Sequence, residues 1–317
     1  MIKWSHLFGS GGEMETRYSE EEIRQIRETL SGKSDLRYKE SPKLKLPYLV
    51  PFHPLASSNP SLYRKISKDK MAKQFSLYGF FPEAFDLVYG SEAPPEISFD
   101  EGNRGQVIIL LHPSKRIVIK GIQNSMEHEV AQMAAGLHTG PKQYPTIEGY
   151  LTEEFIDGPL FSKLDLKGPS EMAYSIGTRV GEILSLLHQN SVFYNDAILL
   201  DQLGKSHLVV PELSPAILID YGVSIRLNNF PRLSDEEIIN FFRTMPGGNL
   251  LITLGKKERN IFLQKLRQDM PPTREQVMAI DIFRLYEQLS VVERRFGYPT
   301  ADIIAKGFEA SYLFQKK

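Results

Sequence analysis

The spacing of apolar and polar residues predicts three regions along the chain. The first region, residues 1–95, opens with Ser19-Glu20-Glu21-Glu22, a capping box that predicts the start of a helix. This helix carries Ile23, Ile26 and Leu30 on one face and is expected to end near Gly32.

A proline-rich passage and a basic segment complete the first region. Residues 41–60 contain prolines that cannot continue a helix, so we expect this passage to wrap over another surface. Residues 61–75 predict a second helix, and residues 90–98 read as the join to the next region. We expect the cations of the second helix to form a solvated face, with a partner or nucleic-acid contact as the alternative; they are Arg64, Lys65, Lys68, Lys70 and Lys73.

Beyond this join the pattern changes to short apolar runs that are typical of strands. Residues 106–111 and 116–120 are β-rich runs separated by a hairpin signal. A helix is predicted over residues 125–138 and another strand over residues 150–158. Residues 96–157 therefore predict a small β-rich lobe with one helix.

The remaining region, residues 158–317, is mainly helical. Residues 171–188 predict a buried helix, on which Gly177 and Gly181 lie one turn apart and would let another backbone approach closely. The apolar stripe of this helix consists of Ile176, Val180, Ile183, Leu184 and Leu187. Residues 207–210 and 216–220 predict one pair of strands within this larger lobe. The predicted fold class is α+β.

Composition limits the classes of function. The chain has 317 residues, of which 41% are hydrophobic and 24% are charged, with a net charge of -1. This balance is typical of a globular protein and does not indicate a protein that coats nucleic acid. The absence of cysteine excludes disulfides, thiolate metal sites and cysteine nucleophiles. Without an apolar run of membrane-span length or an apolar block near its start, the chain is expected to be cytoplasmic.

Candidate chemistry begins with two glycines and a lysine. Gly102 and Gly105 precede a predicted strand, where glycine lets backbone N–H groups approach phosphate oxygens. Lys120 ends the next strand and could direct its ammonium group at a polyphosphate. On the following helix, Glu127 and Glu129 flank the apolar stripe, and periodicity does not choose between them as a partner for the lysine.

Three aspartates follow in the second half of the chain. Asp196 and Asp201 lie in a loop directly after the buried helix, and Asp220 follows the apolar run 216–219. Each of these residues alone could be an ordinary turn residue or the end of a helix or strand. Alternatively, the three aspartates together form a site in which carboxylates hold a metal ion near phosphate groups.

In this order the residues resemble the protein-kinase-like superfamily over about residues 97–300. The glycine loop of that family reads G-x-G-x-x-G-x-V, and its four fixed places fall here on Asp100, Gly102, Gly105 and Val107, so the first glycine is missing. Lys120 matches the strand lysine that binds the α- and β-phosphates of ATP.

The resemblance continues through the helix and the segment after the next strand. Glu129 matches the family's helix glutamate, with Glu127 as the alternative. The segment "EEFIDG" resembles the hinge that receives adenine through backbone hydrogen bonds, which implies a nucleotide contact at Glu154 and Ile156.

The catalytic loop carries the most specific part of the resemblance. Counting from the Leu-His pair at 187–188, Tyr194-Asn195-Asp196 falls on the family's His-Arg-Asp, and Asp201 falls on its asparagine. Asp220-Tyr221-Gly222 matches Asp-Phe-Gly, whose aspartate holds magnesium. Asp281, on the predicted helix 275–289, resembles the aspartate that braces this loop. A second frame, in which "NDAILLD" imitates the asparagine-containing strand, is less compatible with the Leu-His spacing.

The resemblance implies a two-lobed kinase-like fold with an N-terminal extension, and phosphoryl transfer from ATP with Mg²⁺. Asp196, Lys120 and Asp220 would be catalytic, and Asp201 and Asp220 would bind the metal. Tyr194 replaces the usual histidine. Asn195 replaces the arginine that docks a phosphorylated activation loop.

The resemblance indicates the acceptor of the phosphoryl group less directly than it indicates the fold. "EEFIDG" and "IGTRVGEILSLLH" are similar to the small atypical kinases, namely the RIO group and the kinase subunit of the KEOPS tRNA-modifying complex. This implies a serine/threonine protein kinase. The alternatives are a small-molecule kinase of the aminoglycoside or choline type, which also uses a hydroxyl acceptor, and a pseudokinase that acts as an ATP-binding scaffold.

Overall fold

The computed structural model describes most of the chain as two compact units. The described residues are 18–31, 38–40, 47–49, 53–68, 83–84, 87, 95–102, 105–122, 126–146, 150–232, 234–236, 238–239, 256–268 and 272–314. The first unit spans Met1–Ile122 and Gln143–Phe155, and the second spans Gln123–Lys142 and Ile156–Lys317. Within the described residues, no helix combines the length and the apolar character needed to cross a membrane.

The helices of the described residues are α1 (Glu20–Ser31), α2 (His53–Ser58), α3 (Pro60–Lys68), α4 (Glu127–Gly136), α5 (Glu171–Gln189), α6 (Lys256–Gln268), α7 (Arg274–Phe296) and α8 (Tyr298–Phe314). The strands are β1 (Tyr38–Glu40), β2 (Pro47–Leu49), β3 (Glu96–Gly102), β4 (Gly105–His112), β5 (Lys115–Gly121), β6 (Gln143–Tyr144), β7 (Tyr150–Glu154), β8 (Val192–Phe193), β9 (Leu208–Val209), β10 (Ile217–Leu218) and β11 (Ile225–Arg226). Two 3-10 helices cover Phe161–Lys163 and Leu227–Arg232.

The first unit contains a five-stranded antiparallel sheet in the order β3-β4-β5-β7-β6. Its second and third strands, β4 and β5, are the two predicted β-rich runs, and Ile108, Leu110, Ile117 and Ile119 are fully buried. These four residues alternate along their strands because successive side chains of a strand point to opposite faces. Strand β3 was not predicted, since it begins within the segment read as a join.

The predicted capping box at the start of α1 is confirmed. The Ser19 hydroxyl accepts a hydrogen bond from the Glu22 N–H at 3.2 Å, and the Glu22 carboxylate accepts one from the Ser19 N–H at 2.8 Å. Glu22 also pairs with Lys65 of α3 at 2.8 Å. One cation of the basic helix is therefore used within the unit, and the described part of α3 gives no support to a nucleic-acid contact. Lys70 and Lys73 lie outside the described residues.

The proline-rich passage contains a short helix that was not expected. Helix α2 tolerates Pro54 because the first turn of a helix has N–H groups without intrahelical partners, so a missing N–H costs little there. Helix α3 begins at Pro60 for the same reason. The Asn59 side chain caps α3 by accepting a hydrogen bond from the Leu62 N–H at 3.1 Å.

The second unit is built around close packing of α5 against α8. A Cβ atom on Gly177 would lie 2.0 Å from the Ile304 carbonyl oxygen, and one on Gly181 would lie 2.7 Å from the Phe308 carbonyl oxygen. Neither distance is compatible with a side chain. The prediction that these glycines admit another backbone is therefore confirmed.

Helix α4 belongs to the second unit, and the segment that follows the helix forms hydrogen bonds with other parts of that unit. Arg179 of α5 donates hydrogen bonds to the carbonyl oxygens of His138, at 2.6 Å, and of Ala216, at 2.9 Å. The Thr139 carbonyl oxygen accepts the Leu218 N–H at 3.0 Å. Leu218 lies in β10, which pairs with β9 as predicted. Within the described residues the chain is α+β, with its main sheet in the first unit and five of the eight helices named above in the second.

Candidate active site

The loop after β8 is held by a buried carboxylate. Asp281 of α7 is 5% exposed, and its Oδ2 accepts the Tyr194 N–H at 2.9 Å and a hydrogen bond from His188 Nε2 at 3.0 Å. Its Oδ1 accepts the Asn195 N–H at 3.1 Å. The expectation that Asp281 braces this loop is confirmed.

Two further side chains of α7 hold the same loop and were missed from the sequence. The Arg284 guanidinium donates to the Asn195 carbonyl oxygen at 2.7 Å and to the Asn195 side-chain oxygen. Gln288 accepts the Leu199 N–H at 2.8 Å and donates to the Asp196 carbonyl oxygen at 3.1 Å. Their spacing of three and seven positions from Asp281, on one helix face, was the available signal.

Burial lowers the pKa of Arg284, and the nearby carboxylates Asp281 and Asp196 act in the opposite direction. A guanidinium is charged over the whole physiological range, so it remains a cation under the loop. It therefore supplies positive charge from α7 to the loop at Asn195.

Tyr194 connects the loop to the segment that carries Asp220. Its hydroxyl donates to the Ile219 carbonyl oxygen at 2.6 Å, and its ring meets that of Tyr221 edge to face with centroids 5.5 Å apart. Burial raises the pKa of Tyr194 well above its usual value, and the charges of Asp196 and Asp220 raise it further. The phenol of Tyr194 therefore stays protonated.

Two residues have strained backbone conformations: Asn195, which follows Tyr194, and Asp220, which follows the Ile219 acceptor of the Tyr194 hydroxyl. Asn195 and Asp220 both have φ of 60°, a left-handed conformation that few residues other than glycine adopt readily. Asparagine and aspartate tolerate it best, because their short side chains bond to the nearby backbone. The Asp220 carboxylate does so by accepting the Gly222 N–H at 3.2 Å. Asp220 thus occupies a defined position, and its side chain is partly exposed.

Asp196 is also partly exposed, in contrast to its buried neighbours. Its Oδ1 accepts the Ala197 N–H at 2.7 Å, and its Oδ2 lies 3.6 Å from Nδ1 of His207. The sequence contained no signal for His207, which lies outside every motif considered.

The structure places Asp201 in a tight turn before β9. Its Oδ1 accepts the N–H groups of Leu203 and Lys205, both at 2.8 Å, and its backbone N–H donates to the Lys205 carbonyl oxygen at 2.9 Å. One carboxylate oxygen is thus committed to the turn. A metal-binding role for Asp201 stays a prediction.

Lys120 has an ion-pair partner that was not predicted. It pairs with Glu153 of β7 at 3.4 Å, and the two side chains are 10% and 6% exposed. Glu129 pairs with Arg226 of β11, and its pairing with Lys120 stays a prediction. Glu127, the alternative glutamate on α4, is fully buried.

The other predicted nucleotide-binding residues lie on the sheet or directly after it. Gly102 and Gly105 form the last pair of the β3–β4 ladder, and Val107 pairs with Asp100. Glu154 is the exposed last residue of β7, and Ile156 follows it half-buried. Their contacts with a nucleotide stay predictions.

The residues around Tyr194 fit a magnesium ion. Among the described residues, no group of three or more acidic or histidine side chains is arranged to hold a metal. Magnesium bound to a nucleotide needs only one or two protein carboxylates, because water and phosphate oxygens complete its coordination. Asp220, which follows the Ile219 acceptor of the Tyr194 hydroxyl, supplies a partly exposed carboxylate of this kind, and Asp201 stays the second predicted ligand.

Comparison with known proteins yields distant structural similarity. No protein-family model and no curated protein matches the chain. The kinase PK-1 of Cydia pomonella granulovirus has a TM-score of 0.36 and 16% identity, over 69% of this chain and 89% of that one. A protein designated a candidate aminoglycoside phosphotransferase, from Ralstonia eutropha, has a TM-score of 0.33 and 14% identity, over 73% of this chain and 95% of that one. At these values the similarities carry no argument about function, which is drawn from the chain's own contacts.

Proposed function

We propose that the chain is a magnesium- and ATP-dependent phosphotransferase. The observation that supports it is the arrangement around Tyr194, which lies two residues before Asp196, donates its hydroxyl to the Ile219 carbonyl oxygen directly before Asp220, and donates its backbone N–H to Asp281. A structural role alone does not require two partly exposed carboxylates at strained backbone positions: Asp220 itself has a φ of 60°, and Asp196 follows Asn195, which has the same φ.

In this proposal each residue has a separate task. Asp220 would hold Mg²⁺, which supplies charge stabilisation for the transferring phosphoryl group, and Asp201 would assist if its second oxygen is available. Lys120 would bind the phosphates of ATP. Asp196 would accept the proton of the acceptor hydroxyl as that oxygen bonds to the γ-phosphorus and ADP leaves.

A serine or threonine hydroxyl of a protein is the acceptor we propose. The support is the resemblance of "EEFIDG" and "IGTRVGEILSLLH" to the RIO and KEOPS-type kinases. The use of one Asp201 oxygen by a turn favours a second candidate, a nucleotide-binding scaffold with weak or absent transfer, because it reduces the metal ligands available.

Thermal unfolding with nucleotide tests the proposal directly. We expect ATP with Mg²⁺ to raise the unfolding midpoint, since ATP at a hundredfold excess over Kd stabilises the native state by about 2.7 kcal/mol. Chelating Mg²⁺ should abolish most of this shift. Conversion of ATP to ADP, with transfer to a serine/threonine protein substrate rather than an aminoglycoside or choline, would support the acceptor.

Each other outcome has a defined meaning. Stabilisation by ATP and Mg²⁺ without turnover would indicate the scaffold. The absence of both stabilisation and turnover would contradict the proposed function.

We further propose that Glu153 positions Lys120. Glu153→Gln keeps the side-chain shape but removes the charge opposite a buried ammonium group. We expect the free energy of unfolding to fall by about 1.5–3 kcal/mol, the usual contribution of a hydrogen bond to a charged group. Affinity for ATP should fall as well. Both quantities can be measured by denaturant titration and nucleotide binding.

Glu96→Gln is the matched control, because Glu96 is an exposed glutamate on the same sheet. It should change the free energy of unfolding by less than about 0.5 kcal/mol. If Glu129→Gln weakens ATP binding and Glu153→Gln does not, the assignment of Glu153 is wrong.

A further inference from the structure

His207 joins the two segments that carry Asp196 and Asp220. Its backbone N–H donates to the Ala197 carbonyl oxygen at 2.9 Å, directly after Asp196. Its carbonyl oxygen accepts the Ile219 N–H at 2.9 Å, directly before Asp220. These two bonds therefore fix the position of the His207 backbone between the segments that carry the two aspartates.

One imidazole nitrogen of His207, Nδ1, faces two oxygen atoms. This nitrogen lies 3.2 Å from the Tyr194 hydroxyl and 3.6 Å from Oδ2 of Asp196. The single hydroxyl proton of Tyr194 is donated to the Ile219 carbonyl oxygen at 2.6 Å. Toward His207 this hydroxyl can therefore only accept, so the hydrogen of the contact lies on Nδ1.

The same N–H faces the second oxygen of the Asp196 carboxylate. The first oxygen, Oδ1, already accepts the Ala197 N–H at 2.7 Å. A carboxylate with a donor on each oxygen cannot rotate freely, yet each oxygen keeps a lone pair for a further proton. The distance of 3.6 Å is long for a hydrogen bond, and such contacts often shorten when substrate binds.

We propose that His207 is a positioning residue for Asp196, and that its Nδ1–H orients the carboxylate toward the acceptor hydroxyl. This inference rests on the proposed phosphotransfer function. His207 touches neither substrate nor phosphate in this scheme, and it acts only through Asp196 and Tyr194.

Three substitutions separate this role from simple packing. In His207→Asn the amide nitrogen can occupy the place of Nδ1, whereas in His207→Gln it lies one bond farther out, and His207→Leu has no donor. We expect kcat to fall by about 10- to 100-fold in the Gln and Leu variants, the range for a misplaced catalytic group. The Asn variant should retain most of kcat, and KM for ATP should stay within about twofold in all three.

The Asn and Gln variants are matched in polarity, so equal unfolding midpoints would show that the difference in kcat is not a folding effect. Equal kcat in all three variants would overturn the inference. A rise in KM for ATP with unchanged kcat would also overturn it, because it would assign His207 to nucleotide binding.

Long-range ¹H–¹⁵N spectra of the wild-type protein provide a readout that does not depend on activity. Recorded above about pH 8, where histidine is ordinarily neutral, they should show His207 with its hydrogen on Nδ1. A hydrogen on Nε2 with a bare Nδ1 would overturn the inference even in an active enzyme. If the wild-type protein does not turn over ATP, the proposed function fails, and the spectrum alone decides the geometry at His207.

Discussion

Asp220→Asn is expected to abolish ATP turnover while leaving the fold intact. Asparagine tolerates the φ of 60° at this position as well as aspartate does, and its side-chain oxygen can still accept the Gly222 N–H. Only the negative charge is lost. Because charge stabilisation by a bound metal is worth several kcal/mol, kcat should fall by about 10³-fold or more.

The measurement is steady-state ATP turnover, together with the unfolding midpoint with and without Mg²⁺. We expect the midpoint without ligand to be unchanged, and the Mg²⁺-dependent part of the ATP stabilisation to disappear. Asp165→Asn is a suitable control, since Asp165 is a largely exposed aspartate that pairs with Lys167. Undiminished turnover in Asp220→Asn would remove the mechanism.

The second large effect is expected for Asp281→Asn. The carboxylate accepts three hydrogen bonds with two oxygens, from Tyr194, Asn195 and His188. An amide has one accepting oxygen, and its NH₂ group would face donors. Since each buried donor left unsatisfied costs about 1–3 kcal/mol, the free energy of unfolding should fall by about 2–4 kcal/mol.

Turnover should fall together with stability, because the loop that carries Asp196 loses its brace. Hydrogen exchange at the Tyr194 and Asn195 amides should become faster than in the wild-type protein. Glu287→Gln provides the control on the same helix, where the side chain is exposed. Unchanged amide exchange in Asp281→Asn would show that other contacts, such as that of Arg284, are sufficient to hold the loop.

Much of the fold could be predicted because its signals are local. Patterns within a few residues predict the capping box at Ser19, strands β4 and β5, and the role of the glycines of α5. Strand β3 and helix α2 were missed for the opposite reason. Both contain or adjoin prolines, which argue against regular structure locally but are tolerated at the first positions of an element.

The candidate site divides in the same way. Asp196, Asp220 and Asp281 were predicted from their order along the chain, and the roles of Asp196 and Asp220 stay predictions. The structure shows that the Tyr194 N–H donates to Asp281 and that the Tyr194 hydroxyl donates to Ile219, directly before Asp220. Arg284 and Gln288 were missed, although both lie on the face of α7 that carries Asp281. Their partners are about 90 positions away along the chain, so no local pattern reports the contact.

The sequence by itself determined many of the strands and helices, among them β4, β5, α1 and α5, because these depend on short-range periodicity and turn chemistry. Only the tertiary structure decided which charges meet. It pairs Lys120 with Glu153 and Glu129 with Arg226, places an Asp201 oxygen in a turn, and brings His207 to Asp196. Ion pairs and hydrogen bonds form between side chains within a few ångströms of each other, and that proximity is set by the packing of segments far apart in the chain.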